Sequence, residues 1–474
     1  MSSSGKPALD ADETNRVACW LLAATVALAP LPYAGTDPSA LAVLLALLGF
    51  AVLLSRRQAS RPGDRLLIAL AVLIVALYAL VLHEQISLQP WFGGRPDPVW
   101  AQMWRLVGGD PAAPLALVRD QPLFALGAPL ACLTVLACSF FVAGSPAQAE
   151  FLLKTVAWSG LAYAVYGLAA YLIDPSVVLL RDKVQDRNVL NATFPNRNTA
   201  ALYFGCCAVV WGLLLLRRLI ARGAFAAGWS SLRSVTWDRK LGLSAAGAAV
   251  CMICVLLTGS RAGLAISLAG GVGAVVLMLR RQLPSWRSLL WGLVPALVLI
   301  ILALAVLGGQ VTERIGAHGL SGGGRWETYV STWRMIGDHP WLGSGLGSFR
   351  YVFPHYRGPE PSIWGVWDRA HSTPLELAAE LGLPLAMAVC LAWIVIFAML
   401  AGASLQRRSG AIFPIAGLVC GAMAVAHSLI DYSLQIPGLA IPVLSLVGVG
   451  LAQRRRGEGA RGARGIKVNS LGRM

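Results

Sequence analysis

Along the chain, apolar residues run in blocks near 20 residues long, separated by short polar intervals. A bilayer's hydrocarbon core is about 30 Å thick and a helix rises about 1.5 Å per residue, so each block is long enough to cross it as a helix. Twelve such blocks stand at 17–35, 38–55, 65–83, 122–143, 150–173, 198–216, 241–259, 262–280, 288–308, 378–403, 411–430 and 434–452. The pattern predicts an all-α integral membrane protein of about twelve transmembrane helices. The opening segment MSSSGKPALDADETNR is polar and acidic, which is not how a signal peptide begins. The chain thus divides into an N-terminal tail (1–16), a polytopic membrane domain (17–452) and a basic tail (453–474). No repeat with a period of 20–50 residues is present.

Composition excludes the soluble alternatives. The 474 residues would suffice for two or three soluble domains, but 57% are hydrophobic and 13% charged. Mean hydropathy is +0.65. A soluble domain carries roughly 25% charged residues, and half that density cannot cover a soluble globule. The net charge of +16 then reads as topology. With both termini cytoplasmic, the cytoplasmic segments hold 25 of the 39 basic residues and 7 of the 23 acidic ones. This is a strong positive-inside bias, and it needs no nucleic-acid partner. All nine cysteines, Cys251 and Cys254 of a CxxC among them, fall within apolar runs and read as small buried hydrophobes.

This topology puts four polar segments outside: 84–121, 174–197, a tight turn at Gly259–Arg261, and 309–377, too long for a connector. In the second, Asn196 or Asn198 can cap the following helix, and Arg197 by position alone suits an interfacial anchor. The turn TGSRAGL sets Arg261 into an otherwise continuous apolar stretch. An arginine there costs on the order of 2.5–3.5 kcal/mol unless it sits at the surface or faces an anion. In the long segment, Gly322–Gly324 form a hinge before Arg325. Trp326, Tyr329, Val330, Trp333 and Ile336 then recur at helical spacing, predicting a short amphipathic helix that lies on the membrane or caps the bundle. His339-Pro340 ends it. Gly343-Ser-Gly345-Leu-Gly347 reads as a tight turn rather than a nucleotide loop. His371 stands just before a helix capped by Ser372 or Thr373, with Pro374 and Glu376 in its first turn.

The six histidines show no zinc-ligand spacing, and neither GxSxG nor a phosphate-binding loop occurs, so no metal and no cofactor is expected. What remains outside is a set of arginines (Arg197, Arg261, Arg325, with Arg314 nearby) and one histidine, His371. Guanidinium forks match phosphate oxygens, and imidazole is a base near neutrality. A lipid diphosphate fits this inventory.

The stretches NATFPNRNTAALYF, TGSRAGL, GGGRWETYVSTWRMIGDHPWLGSGLGSF and AHSTPLELAAELGLPLA resemble the O-antigen ligase and polymerase superfamily of bacterial envelope polysaccharide synthesis, over about 190–390. The resemblance implies a GT-C-like glycosyltransferase in the bacterial inner membrane, its active site on the periplasmic face. It implies transfer of a glycan from undecaprenyl diphosphate to an acceptor hydroxyl, on lipid A core for a ligase or on a growing glycan for an O-antigen or exopolysaccharide polymerase. Matched by motif, Arg261 and Arg325 bind the diphosphate, Arg197 is a weaker match, and His371 is the base. Trp364 and Trp367 are positioned to stack on sugar. The sequence departs from the family's histidine motif after Gly382, where Leu383-Pro384-Leu385 replaces its usual GxxG ending. A transporter or flippase, the competing class, places ionisable residues at midspan, and this chain has almost none.

Overall fold

The computed structural model describes residues 7–55, 62–92, 98–108, 113–184, 186–225, 228–280, 282, 323–358, 366–406 and 410–471. The expected span at 288–308, and with it Arg314, lies outside these residues. In chain order the helices are α1 (Pro7–Leu28), α2 (Pro38–Leu54), α3 (Pro62–Ile86), α4 (Pro98–Val107), α5 (Gln121–Ala125), α6 (Gly127–Val142), α7 (Pro146–Ile173), α8 (Arg197–Ala221), α9 (Arg239–Leu257) and α10 (Arg261–Leu279). After them come α11 (Gly323–Asp338), α12 (Phe349–Tyr356), α13 (Thr373–Leu381), α14 (Leu383–Gln406), α15 (Ile412–Ser428) and α16 (Pro437–Leu471). Among the described residues the only sheet is a two-residue hairpin between α7 and α8, Val177–Val178 against Arg181–Asp182.

The protein is an all-α integral membrane protein. Among the described residues eight helical segments are long and apolar enough to cross a bilayer: α3, α5 with α6, α7, α8, α9, α10, α14 and the first half of α16. Two more, α2 and α15, are apolar but only 17 residues long. Some boundaries differ from the hydrophobic pattern. The first helix covers Pro7–Leu28 rather than 17–35, because Pro30 and Pro32 cannot continue it. The block at 378–403 is broken at Gly382 (φ +84), whose backbone lies against Trp341. There a Cβ would meet the Trp341 carbonyl oxygen at 2.2 Å. The span starts at Leu383, and 373–381 is a separate short helix. At the C terminus α16 continues past Ala452 as far as Leu471.

The bundle is organised around the first half of α16 and α8, the most buried spans among the described residues, while α3 is peripheral. Small residues let the neighbours of α8 approach, as membrane packing requires. Gly247 of α9 lies on the Trp211 ring, Gly205 faces Ser267 of α10, and Gly160 of α7 faces Cys207. Trp211 is fully buried and donates from Nε1 to the Ala157 carbonyl at 2.9 Å.

At one end of the bundle, where α8 finishes, several arginines are paired with carboxylates. Arg217 is bidentate on Glu150 (2.6 and 2.6 Å), Arg222 meets Asp238 at 2.5 Å and Arg454 meets Asp64 at 3.2 Å. The other end, where α8 and α10 begin and α15 finishes, gathers the loops that carry the candidate residues.

Candidate functional site

The site is built on helix ends. In α8, Asn196 is the cap: its Oδ1 accepts from Asn198 N at 2.7 Å, so Arg197 is the first helical residue. In α10, Ser260 is the cap, accepting from Gly263 N at 3.2 Å, and Gly259 (φ +64) makes the turn that precedes it. Arg261 therefore opens α10 as Arg197 opens α8. Ser260 Oγ donates to Asn198 Oδ1 at 2.7 Å and ties the two helix starts together.

That pair is held in turn by a residue the sequence did not single out. Asp431, in the loop between α15 and α16, is 1% exposed. Its carboxylate accepts from Asn198 Nδ2 (2.8 Å), Asn196 Nδ2 (3.3 Å) and the backbone of Tyr432 (2.7 Å). Arg325 of α11 approaches it at 3.9 Å and donates to the Ile430 carbonyl at 3.3 Å. Asp431 thus joins α8, α10, α11 and the α15–α16 loop. A carboxylate buried this deeply is tolerated because donors surround it. The signal in the sequence was an acidic residue in the short outer turn HSLIDYSLQIP, between two apolar blocks.

His371 lies across the same loop. Its backbone is left-handed (φ 53), a conformation that costs a non-glycine residue on the order of 1–3 kcal/mol and persists only where its surroundings fix it. Here Tyr329 OH donates to the His371 carbonyl at 3.0 Å. The imidazole stands edge-on to Trp367 (5.7 Å) and Tyr432 (5.3 Å). Its Nδ1 is buried without a hydrogen-bond partner among the described residues. Burial, and then the positive charge of Arg325, hold the imidazole below its ordinary value of 6.5, while Asp431 and Asp368 pull it up. It is therefore neutral at physiological pH. The next helix is fixed from below. Ser372 occupies the cap of α13, but its side chain makes no capping bond there. Glu376 reaches back instead to Ala370 N (2.8 Å) and pairs with Arg369 at 3.0 Å, and Arg369 also meets Gln435 at 2.7 Å.

Of the residues picked from the sequence, Arg197, Arg261, Arg325 and His371 all come to this end. Arg325 stands 3.9 Å from Asp431, and both charges act on the His371 imidazole. Arg197 pairs with Asp186 at 3.3 Å, next to the Gly259 turn. Arg261 is exposed and makes no hydrogen bond or ion pair among the described residues. Trp367 packs beside His371, and Trp364 lies outside the described residues. The turn at Gly343, Gly345 and Gly347 has positive φ throughout. It clasps Glu380, whose carboxylate accepts from Gly347 N and Phe349 N at 2.8 and 2.9 Å, so it is structural.

The amphipathic helix departs from expectation at its start. Gly323 and Gly324 belong to its first turn rather than to a hinge. Its buried face is Thr328, Ser331, Thr332, Met335 and Ile336, while Trp326 and Trp333 point outward. Met335 and Ile336 pack with Phe349, Val352 and Phe353 of α12 and Ala378 and Ala379 of α13.

Among curated proteins none matches the chain. Residues 246–390, which contain Arg261, Arg325 and His371, match the family model described as O-antigen ligase, which supports the resemblance to the O-antigen ligase and polymerase superfamily.

Proposed function

We propose that the protein is a glycosyltransferase of the bacterial inner membrane that moves a glycan from undecaprenyl diphosphate to an acceptor hydroxyl. The observation that carries this reading is the convergence at one bundle end of three groups: Arg261, with no partner among the described residues, loosely paired Arg325, and a neutral imidazole whose Nδ1 has no partner among the described residues. The imidazole takes the acceptor's proton, the acceptor oxygen attacks the anomeric carbon from the face opposite the diphosphate, and the sugar–phosphate bond breaks. The leaving diphosphate gathers negative charge, which Arg261 and Arg325, with Arg197 as a third donor, stabilise. The anomeric centre inverts. Both termini are cytoplasmic and this end faces the periplasm, a reading supported by the excess of basic residues in the opposite segments.

The acceptor is lipid A core in our leading reading, with polymerisation onto a growing glycan as the alternative. The test is transfer from lipid-linked glycan in reconstituted vesicles by wild type and His371→Ala. Loss of transfer with the helical fold intact supports the assignment, and retained transfer overturns it. In a deletion strain, accumulation of long lipid-linked chains identifies a ligase and accumulation of single repeat units a polymerase.

A further inference from the structure

Helix α11 is fastened at both ends to the mouths of apolar helices. At its start, Arg325 Nη1 donates to the Ile430 carbonyl (3.3 Å), two residues beyond the end of α15. Just past its end, the Pro340 carbonyl accepts from Leu383 N (2.8 Å), the first residue of the span α14, and Trp341 abuts Gly382. A 16-residue rod, about 24 Å long, is therefore slung between two helix ends at the level where those helices leave the bilayer.

Its faces are sorted in reverse for a helix in water. Three of the five residues turned to the protein carry hydroxyls: Thr328, Ser331 and Thr332. On the opposite side Trp326 is 65% and Trp333 61% exposed, and Trp341 in the following turn is 74% exposed. Positions seven apart fall within about 20° of each other on a helix, so the two indoles form one stripe. The charged Glu327, Arg334 and Asp338 lie about 80–120° round from Trp326 on one flank, and Arg325 and Tyr329 lie on the other, toward Ile430 and His371. Leu429 and Ile430, at the end of α15 where Arg325 is tethered, are exposed apolar residues as well. Tryptophan is the residue of the membrane–water boundary, where its ring is in the acyl layer and its N–H reaches the headgroups.

We propose that α11 is an interfacial strap. Trp326 and Trp333, with Trp341, are seated in the headgroup boundary of the bilayer on the site side, and this anchoring sets the height of Arg325 and, through Tyr329, of His371. The occupant of the face is lipid. The inference rests on the chain being a membrane protein and not on the proposed transfer reaction, so its test reads no transfer.

The full-length protein is placed in nanodiscs of phosphatidylcholine, plain or brominated near the top or near the end of the acyl chains. Emission of the Trp326→Phe/Trp333→Phe double variant is subtracted from that of wild type, which isolates these two among sixteen tryptophans. The expected difference signal is quenched strongly by shallow bromine, less by deep bromine and little by aqueous iodide. Two results overturn the proposal: quenching by iodide with none by bromolipid puts the indoles in water, and a response to added oligosaccharide with none to bromolipid puts them on glycan. Should the double variant elute as aggregate, the single variants Trp326→Phe and Trp333→Phe supply the same subtraction.

Discussion

Two groups of arginines, one at each end of the helix bundle, are held in different ways. At the end where α8 finishes, Arg217, Arg222 and Arg454 each hold a carboxylate, and Arg218 and Arg280 bind backbone carbonyls. At the other end Arg261 holds nothing among the described residues, and Arg325 stands 3.9 Å from a carboxylate already occupied by two asparagines and a backbone N–H. That end also pairs Arg181 with Asp37 and Arg369 with Glu376, so the contrast belongs to the cluster rather than to the face as a whole. A guanidinium whose donors are committed to protein oxygens is part of the frame. One that keeps its five donors is available to a ligand. Partners thus separate these two groups but not the two ends as wholes: at the far end Arg16, Arg65 and Arg239 are exposed and make no hydrogen bond or ion pair among the described residues.

The largest effect should follow from removing the base. His371→Ala is expected to lower transfer by about 10²–10⁴-fold, the usual contribution of a positioned acid–base group, without loss of helical content. Transfer by the variant at wild-type rate would end the distinction between the two ends as a catalytic one. Next comes the free cation. Arg261→Lys keeps the charge but loses the two-pronged contact, and transfer is expected to fall by about 10²-fold, as when one preorganised donor is removed from a developing anion. Vesicle assays with saturating donor separate this from weaker binding.

A smaller effect, in pH rather than rate, sharpens the same cluster. The base works when neutral, so transfer rises with pH through the imidazole's pKa and is flat above it. Burial and Arg325 lower that pKa from 6.5, so the acid limb of wild type should lie below 6.5. Arg325→Gln removes a positive neighbour and should move the limb to higher pH. Asp431→Asn removes a negative one and should move it lower. Shifts in the same direction for both variants would show that neither charge acts on His371 directly.

Part of this was legible in the sequence. Apolar block length announced membrane helices, and the family resemblance named Arg261, Arg325 and His371, which the fold brings to one end of the bundle. What the sequence hid is informative. Asp431 looked like one more outer charge, because its value lies in partners 106 and more residues away in the chain, at Arg325, Asn198 and Asn196. Helical spacing grouped Trp326 and Trp333 but left open whether their face meets the membrane or the bundle. In a bilayer the exposed side of a helix can be the apolar one. The cap of α13 was assigned to a hydroxyl, whereas Glu376 does the reaching, a choice set by Arg369 and Gln435 beneath it.

The smallest expected effect tests the other half of the comparison. Arg217 and Glu150 form a geometrically favourable pair at the far end, with two bonds of 2.6 Å, and Lys154 shares the carboxylate at 3.1 Å. Both side chains keep contact with the surroundings, Arg217 at 36% and Glu150 at 23% exposure. Such pairs contribute about 0–1 kcal/mol, and Lys154 remains to neutralise Glu150 when the arginine goes. Arg217→Ala should therefore lower the thermal midpoint of the detergent-solubilised protein slightly and leave the rate of transfer and its pH profile where they were. A fall in rate comparable to that of Arg261→Lys, with the midpoint unchanged, would mean that the far arginines are coupled to chemistry through α8. The frame and the site would then not be separable by partner occupancy.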